Sequence, residues 1–453
     1  MKIKCGIIKS KIHTDNPDLL KALINLYTFK VPGSEFSPAY KRRQWDGKKR
    51  FITNTGTFPS GLLSEILIEL KKIECTPELE FNYKENNNSK IKNIKTFSYY
   101  KFQKDFIQKS IKEKRGIIKS PTGSGKTLIM AGIIKSLSEK KMVILFNAKQ
   151  VLTQTYDFLN ETCKIENLGI CFGEGYIYGD IMLCTVQSID KILDTHLEET
   201  EVLLVDEAHE FANGKLTLAA INSFPKAQYR IGFTATPPSK GVPKYNLVGA
   251  FGPVWEETST SELIEEGKLS KPLIQLLRVP PLSSLNESSS YDEVYENFIV
   301  HNENRNQKIH TIVKSIKKTN KKARILVIVN SLEHAKQLHD LLEGSFKLWG
   351  DDPILTRYKI ISKFLSSKKS SILIGTKILQ TGINIEEITH FINARGLKSE
   401  IATIQALGRA LRRHYSMDRV YIYDFIDDAK YLREHSRLRK EHYLSEGHEI
   451  KIL

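Results

Sequence analysis

Acidic residues are scarce in this chain: 52 Asp and Glu stand against 68 Lys and Arg, a formal net charge of +16. An excess of cations favours a polyanionic partner, because clustered Lys and Arg release counterions from phosphate backbones. The same charge would also serve plain solubility, so it selects nucleic acid only in company with other signals. Long apolar runs are missing. None approaches the roughly 20 residues that cross a bilayer, which excludes a helical span. The opening residues Met1-Lys2-Ile3-Lys4-Cys5 lack the apolar stretch of a secretion signal. Cysteine is sparse, with five scattered residues (Cys5, Cys75, Cys163, Cys171, Cys184). An odd count without a C-x-x-C pair argues against a disulfide framework and against zinc, and for reduced, buried thiols in a cytoplasmic protein. No short repeat of solenoid type is present.

What is there fills two or three domains, at 453 residues and 40% hydrophobic content. The polar, Asn-rich stretch 84–95 reads as a linker, so residues 1–95 are expected to form a small α+β module. That module holds 18 Lys and Arg against 10 Asp and Glu, half of the chain's net excess. Apolar residues crowd one side of Pro17–Phe29 and of Gly61–Ile73, which predicts two helices. From about 96 the rhythm changes. Short apolar runs (116–118, 143–146, 181–184, 202–205, 231–233) alternate with helical stretches, the pattern of a parallel sheet covered on both faces. A second series follows, with strands expected at 325–329, 371–374, 391–394 and 420–425. The expected architecture is therefore α/β: two RecA-like parallel-sheet lobes, 96–270 and 271–430, with a small N-terminal α+β DNA-binding domain, 1–95. Residues 431–453 read as a helical tail docked on a lobe.

The chemistry is concentrated in the first series. Ser120-Pro121-Thr122-Gly123-Ser124-Gly125-Lys126-Thr127 follows an apolar strand and opens a helix. Backbone N–H groups from Thr122 to Thr127 can cradle phosphates, Lys126 can reach the β- and γ-phosphates, and the Thr127 hydroxyl can ligate Mg²⁺. Ser120 replaces the usual first glycine and is small enough for the same turn. Downstream, Asp206-Glu207-Ala208-His209 ends the run Val202–Val205. Asp206 is the candidate for Mg²⁺ and Glu207 for orienting the attacking water. Either motif alone could be a polar turn or a solvated strand end; together they predict ATP or GTP hydrolysis with Mg²⁺. Thr234-Ala235-Thr236 follows the next strand. In the second series, Gln405-x-x-Gly408-Arg409-x-x-Arg412 places two guanidinium groups at i and i+3, suited to a γ-phosphate whose charge is redistributing. The alternative for these arginines is a DNA-facing helix.

Loop, DEAH, TAT and Q-x-x-G-R-x-x-R, in this order, resemble a superfamily 2 helicase over roughly residues 96–430. The resemblance implies two lobes closing on ATP while stepping along a strand. It assigns Gln405, Arg409 and Arg412 to catalysis beside Lys126, Asp206 and Glu207. It places Gln103 at adenine with Tyr100 stacking on the base, and the loop residues Thr122, Gly123, Ser124, Gly125, Lys126 and Thr127 around the phosphates. His209, Thr234, Thr236 and Gly382 would couple hydrolysis to movement. Asn147, Gln150, Thr185, Gln187, Asn330 and Thr376 would lie along the strand backbone. Asn384, where many relatives carry Asp, departs from the pattern and leaves the role of that position open.

In the N-terminal module, Phe36-Ser37-Pro38, Trp45-Asp46-Gly47 and Phe58-Pro59-Ser60-Gly61-Leu62 are similar to the phage UvsW-type helicases, as are Ser261–Gly267 and Ile426-Asp427-Asp428. That family remodels branched DNA. The likeness implies DNA, branched or forked or single-stranded, as partner, a monomer, and the host cytoplasm as location. The residues give the module their own reason to bind DNA: Arg42, Arg43, Lys48, Lys49 and Arg50 surround Trp45, so cations can hold phosphates while the indole stacks on an unpaired base. Trp45 could instead be a core residue beside a hairpin turn at Asp46-Gly47. Two other functions stay open: an RNA helicase or double-strand DNA translocase sharing the lobes, and a DNA-binding or annealing protein with a vestigial motor.

Overall fold

The structure, a computed structural model, describes residues 1–83, 91–94, 96–121, 123–212, 214–280, 290–349, 352–376, 388–397, 419–445 and 448–453. Thr122, Gly382, Asn384, Gln405, Arg409 and Arg412 lie outside the described residues. By contact the chain divides into two compact units, Met1–Ser120 with Gly125–Glu257, and Pro121–Ser124 with Thr258–Leu453.

The first unit begins with β1 (Lys2–Cys5) and β2 (Lys9–His13). An antiparallel ribbon follows, β3 (Thr28–Lys30) with β4 (Lys48–Arg50), then β5 (Thr57–Pro59) and β6 (Glu78–Phe81). Four of these form a sheet in the order β5-β2-β1-β6. The expected helices are present, with trimmed ends. Pro17–Leu26 starts where the Asn16 side chain accepts the Leu19 N–H at 3.0 Å, a cap that fixes the first turn. The Thr28–Lys30 strand ends that helix earlier than the apolar pattern suggests. Leu63–Lys72 is entered through a tight turn at Ser60–Leu62.

Among the described residues, the second sheet of this unit has eight strands: β7 (Arg115–Lys119), β8 (Met142–Phe146), β9 (Leu168–Phe172), β10 (Gly175–Ile177), β11 (Ile181–Thr185), β12 (Val202–Val205), β13 (Tyr229–Thr234) and β14 (Val254–Glu256). Their order is β10-β9-β11-β8-β12-β13-β7-β14. All pairings are parallel except β10 on β9. In a parallel sheet the carboxyl ends share one edge, and ligand-binding loops gather there. The loops after β7, β12 and β13 carry the phosphate loop, DEAH and TAT.

The N-terminal sheet does not stand apart. One hydrophobic core runs from Ile3 and Leu62 through Val248 and Phe251. Tyr245 stacks on Phe29 with ring centroids 4.3 Å apart. Lys49 Nζ donates to Asn246 Oδ1 at 2.6 Å, and Lys244 pairs with Glu65 at 3.3 Å. The helix Gly241–Phe251 is thus shared between the module and the lobe that follows it.

Among the described residues, the second unit holds an all-parallel sheet of seven strands, β15 (Lys271–Val279), β16 (Arg324–Ile328), β17 (Phe346–Leu348), β18 (Ser371–Gly375), β19 (His390–Asn393), β20 (Arg419–Asp427) and β21 (Glu449–Ile452), ordered β17-β18-β16-β19-β20-β15-β21. Alternate residues of one strand enter different cores: Ile325 and Val327 on one face, Leu326 and Ile328 on the other. The tail holds the expected helix, Leu432–Ser445, and then an unexpected edge strand, β21, paired parallel to β15. Where the helix Leu432–Ser445 packs on β20 lies a buried polar network. Arg439 Nε meets Asp424 Oδ2 at 3.0 Å, Arg305 Nε meets Asp427 Oδ1 at 2.9 Å, and the Tyr443 hydroxyl donates to Asp424 at 2.7 Å.

All five cysteines are free thiols, four of them buried. Burial pushes the Cys163 thiol up to about 11, which keeps it protonated and inert. Among the described residues, no helix is long and apolar enough to cross a membrane.

Candidate active site

The phosphate loop turns through Gly123 and Gly125, at φ +86° and +87°, a region open to glycine at no steric cost. The helix Lys126–Ser136 starts directly after Gly125, so its free N–H groups face the loop. Lys126 Nζ donates to the Ser120 carbonyl at 3.2 Å, a single neutral acceptor that a phosphate can displace. Thr127 is half-buried in the first turn. Ser124 Oγ donates to the Pro121 carbonyl at 2.7 Å and closes the loop on itself.

Gln103 is buried near the amino end of the helix Lys101–Glu113. Its Oε1 accepts the Tyr100 N–H at 2.9 Å. A Cβ added at Gly125 would fall 2.6 Å from Gln103 Nε2, so the amide lies against the base of the phosphate loop. The Tyr100 ring is half exposed and stacks on Phe102 with centroids 6.0 Å apart. Gln103 therefore caps its own helix as well as facing the loop.

DEAH follows β12. Glu207 sits at φ +45°, a left-handed conformation that a non-glycine residue holds only where its surroundings impose it. Burial, and next the Glu207 carboxylate beside it, raise the Asp206 pKa well above the ordinary carboxylate range; the Lys126 ammonium works against them. Glu207 Oε2 is buried without a hydrogen-bond partner. His209 Nδ1 lies 3.4 Å from that oxygen but is closer, at 2.8 Å, to Thr234 Oγ1. Burial lowers the His209 pKa against the pull of Glu207 and Glu210, so the ring is neutral at pH 7. Thr234 Oγ1 also accepts the Thr236 N–H at 3.0 Å, and the Thr234 carbonyl accepts the Ser120 N–H at 3.1 Å. His209, Thr234, Thr236 and the start of the phosphate loop thus form one hydrogen-bonded chain. Two crowded carboxylates, one resisting ionisation and one with an unsatisfied buried oxygen, are a donor set that suits a divalent cation.

The expected strand contacts vary in what they offer. Asn147 Nδ2 donates to Glu210 Oε2 at 2.6 Å, a tie between the loop after β8 and the residue that follows DEAH, which the sequence did not announce. Thr185 is buried and donates to Ser188 Oγ at 3.1 Å, so its hydroxyl orders a turn rather than meeting solvent. Gln187 is exposed and Gln150 half-buried. In the second unit, Asn330 and Thr376 follow the neighbouring strands β16 and β18, whose ends are joined by Val329 N–H to the Gly375 carbonyl at 3.0 Å. Asn330 Oδ1 is buried without a hydrogen-bond partner.

In the basic run of the N-terminal module, Lys49 and Arg50 are already engaged, the first by Asn246 and the second by Asp46. Arg42, Arg43 and Lys48 are exposed, and among the described residues none makes an ion pair. Trp45 is half-buried, and its indole N–H donates to the Lys48 carbonyl at 2.8 Å, so the side chain braces the turn that follows it. Tyr40 and Gln44 share its surroundings; no sequence motif flagged them, only their nearness to the basic run.

A phosphate loop, a carboxylate pair and a coupled TAT turn on one parallel-sheet lobe, followed by a second parallel-sheet lobe, define a helicase-type nucleotide hydrolase. Three family profiles match in series: DNA helicase UvsW, N-terminal, over residues 7–83; type III restriction enzyme, res subunit, over 85–239; and helicase conserved C-terminal domain, over 307–414. The chain thus carries a UvsW-type N-terminal domain followed by two helicase domains, and it is an ATP-hydrolysing helicase. It is 24% identical over 438 residues to the ATP-dependent DNA helicase uvsW of Enterobacteria phage T4, covering 90% of this chain and 86% of that protein. It is 24% identical over 357 residues to the DNA 3'-5' translocase XPB2 of Sulfurisphaera tokodaii, covering 69% and 78%. In fold it is similar to a putative HsdR subunit fragment of a type I restriction enzyme from Vibrio vulnificus, with a TM-score of 0.58 at 17% identity, over 86% of this chain and 73% of that one.

Proposed function

We propose that this protein is an ATP-driven motor that remodels branched DNA in recombination and repair, by branch migration and fork regression. The observation that carries the reading is the union, within one continuous core, of a UvsW-type N-terminal module and a lobe bearing phosphate loop, DEAH and TAT. A module that shares a core with a motor lobe moves with it. A junction held by one is therefore strained by steps of the other.

In this reading Lys126 leaves the Ser120 carbonyl for the β- and γ-phosphates, and Gln103 with Tyr100 holds the adenine. Thr127 and Asp206 would hold Mg²⁺, which neutralises phosphate charge and favours the ionised Asp206. Glu207, with its unsatisfied oxygen and imposed backbone, orients the attacking water. The chain from His209 through Thr234 to Ser120 links the DEAH turn to the phosphate loop, a route by which hydrolysis alters grip on the strand. Arg409 and Arg412, with Gln405, would supply the guanidinium groups that stabilise the transferring phosphate.

The test is an ATPase and unwinding panel on forked, four-way, single-stranded and duplex DNA, with an RNA duplex as a further arm. Lys126→Ala is expected to lose ATP hydrolysis by at least 100-fold, a size typical of removing a transition-state cation, and to keep most of its DNA affinity. Hydrolysis that persists in Lys126→Ala refutes the phosphate-loop assignment. Stimulation by RNA or by blunt duplex alone, with forks inert, transfers the protein to the RNA-helicase or double-strand-translocase class.

A further inference from the structure

The N-terminal module contains an open pocket of about 610 Å³, lined by Glu35, Tyr40, Lys41, Arg43, Gln44, Trp45 and Asp46. That is within the ordinary size range of small-ligand sites. We propose that this pocket receives one unpaired nucleobase, flipped out beside a DNA junction, with its flanking phosphate on Arg43. The proposal rests on the branched-DNA reading and deepens it by naming the moiety the module reads.

Both aromatic walls are set before any ligand arrives. Trp45 is oriented by its indole hydrogen bond to the Lys48 carbonyl at 2.8 Å. Tyr40 is wedged against Gly47: a Cβ there would lie 3.0 Å from two Tyr40 ring carbons and 2.8 Å from Ser34 Oγ. Gly47, at φ +72°, is thus required both by its turn and by the ring it supports. Pre-set aromatic faces lower the entropy lost on binding and accept any base, since every base has a π-face.

The charges sort themselves to the same end. Of the two lining carboxylates, Asp46 is paired with Arg50 and accepts the Lys48 N–H at 3.1 Å, and Glu35 lies 3.6 Å from Lys30. Among the described residues, Lys41 and Arg43 make no ion pair, so the pocket is cationic at its free positions. Arg43 holds φ +57° at the end of the short helix Pro38–Lys41, where its N–H meets the Tyr40 carbonyl at 2.9 Å and the Gln44 N–H meets the Ala39 carbonyl at 2.9 Å. This is the helix-ending turn that glycine normally completes. Arginine there gives up backbone ease, and that cost is consistent with a guanidinium wanted at this spot. Gln44 adds an amide able to donate and accept at a base edge.

The experiment uses the full-length protein and a fork in which a single abasic site is moved, one nucleotide at a time, through the unpaired strand next to the duplex. Loss of one base–aromatic stack predicts about tenfold weaker binding at one position and little change at its neighbours. In Tyr40→Ala that positional dip is expected to vanish while the thermal midpoint holds. In Arg43→Ala the slope of log affinity against log salt is expected to fall by about one. A wild-type scan that stays within twofold at every position overturns the proposal without any variant being needed. So does a dip that persists undiminished in Tyr40→Ala. Fork unwinding by the wild type reads the parent function separately: unwinding with a flat scan removes the base pocket and leaves the branched-DNA motor standing.

Discussion

Gly61→Ala probes whether the DNA-facing module and the motor lobe act as one body. A methyl at this position would sit 2.1 Å from the Val248 carbonyl oxygen, 2.7 Å from that of Gly249 and 2.8 Å from the Gly252 nitrogen. These are backbone atoms at the end of the helix Gly241–Phe251, so no side chain can swing aside to make room. Ordinary carbon contacts lie near ~3.5–4.0 Å. The helix end must therefore retreat by more than an ångström, or the turn at Ser60–Leu62 must lift. Overpacking against side chains costs about 1–3 kcal/mol; against backbone the upper end applies, so about 3 kcal/mol is expected. At 1.4 kcal/mol per factor of ten, local opening of the contact should rise by roughly 100-fold. Hydrogen exchange should show that loss of protection in peptides covering 60–73 and 241–252, with the β18–β16 region unaffected. Single-strand-stimulated ATPase should persist while fork unwinding falls, because stepping would no longer be transmitted to the held junction. Unchanged exchange together with full unwinding would refute the idea of a shared, rigid core. Removing residues 1–90 is a poorer probe, since it would strip the partners from Tyr245, Val248 and Asn246.

Acid should weaken the second lobe. Burial lowers His334 to about 3 and His390 and His448 to about 4. The unfolded chain, with histidines near ~6.5, takes up those protons first, so stability is full above about pH 6.5 and is lost as pH falls toward about 4, at about 1.4 kcal/mol per pH unit for each histidine. Denaturant titrations at stepped pH would show it; flat stability between pH 7 and pH 5 would count against neutral buried rings. Arg439→Met should destabilise the same lobe by about 3–5 kcal/mol, because Asp424 and Asp427 would remain buried without that cation. Asp424→Asn in the same chain should recover part of the loss in a thermal melt, and failure to recover any would mean that packing of the arginine stem, not charge, is what matters.

The motifs were legible because their chemistry is local. Lys126 and Thr127 directly follow the glycines that turn the loop, and Asp206 and Glu207 follow an apolar strand. Strand order was not legible. Asp206 approaches the phosphate loop because β13 lies between β12 and β7, and no pattern along the chain encodes that adjacency. The hydrogen bond from His209 to Thr234 spans 25 residues and depends on the same pairing. Strands β9, β10, β14, β15, β17 and β21 were not predicted, because short or mixed runs have no strong period. Thr185 illustrates the limit of motif transfer: its position was anticipated, but only the turn to Ser188 shows that its hydroxyl is spent internally.

The amino-acid sequence by itself determined the reaction class, the phosphate loop, the carboxylate pair and the existence of two strand–helix series. Those depend on residue type and close spacing, which a chain carries in one dimension. Tertiary structure decided that the N-terminal sheet and the first lobe share a core through Gly241–Phe251, that Asp206 is pressed toward its neutral form by burial and by Glu207, and that Tyr40 and Trp45 face a common pocket. Burial and long-range packing set those properties, and both arise only when distant segments exclude water together.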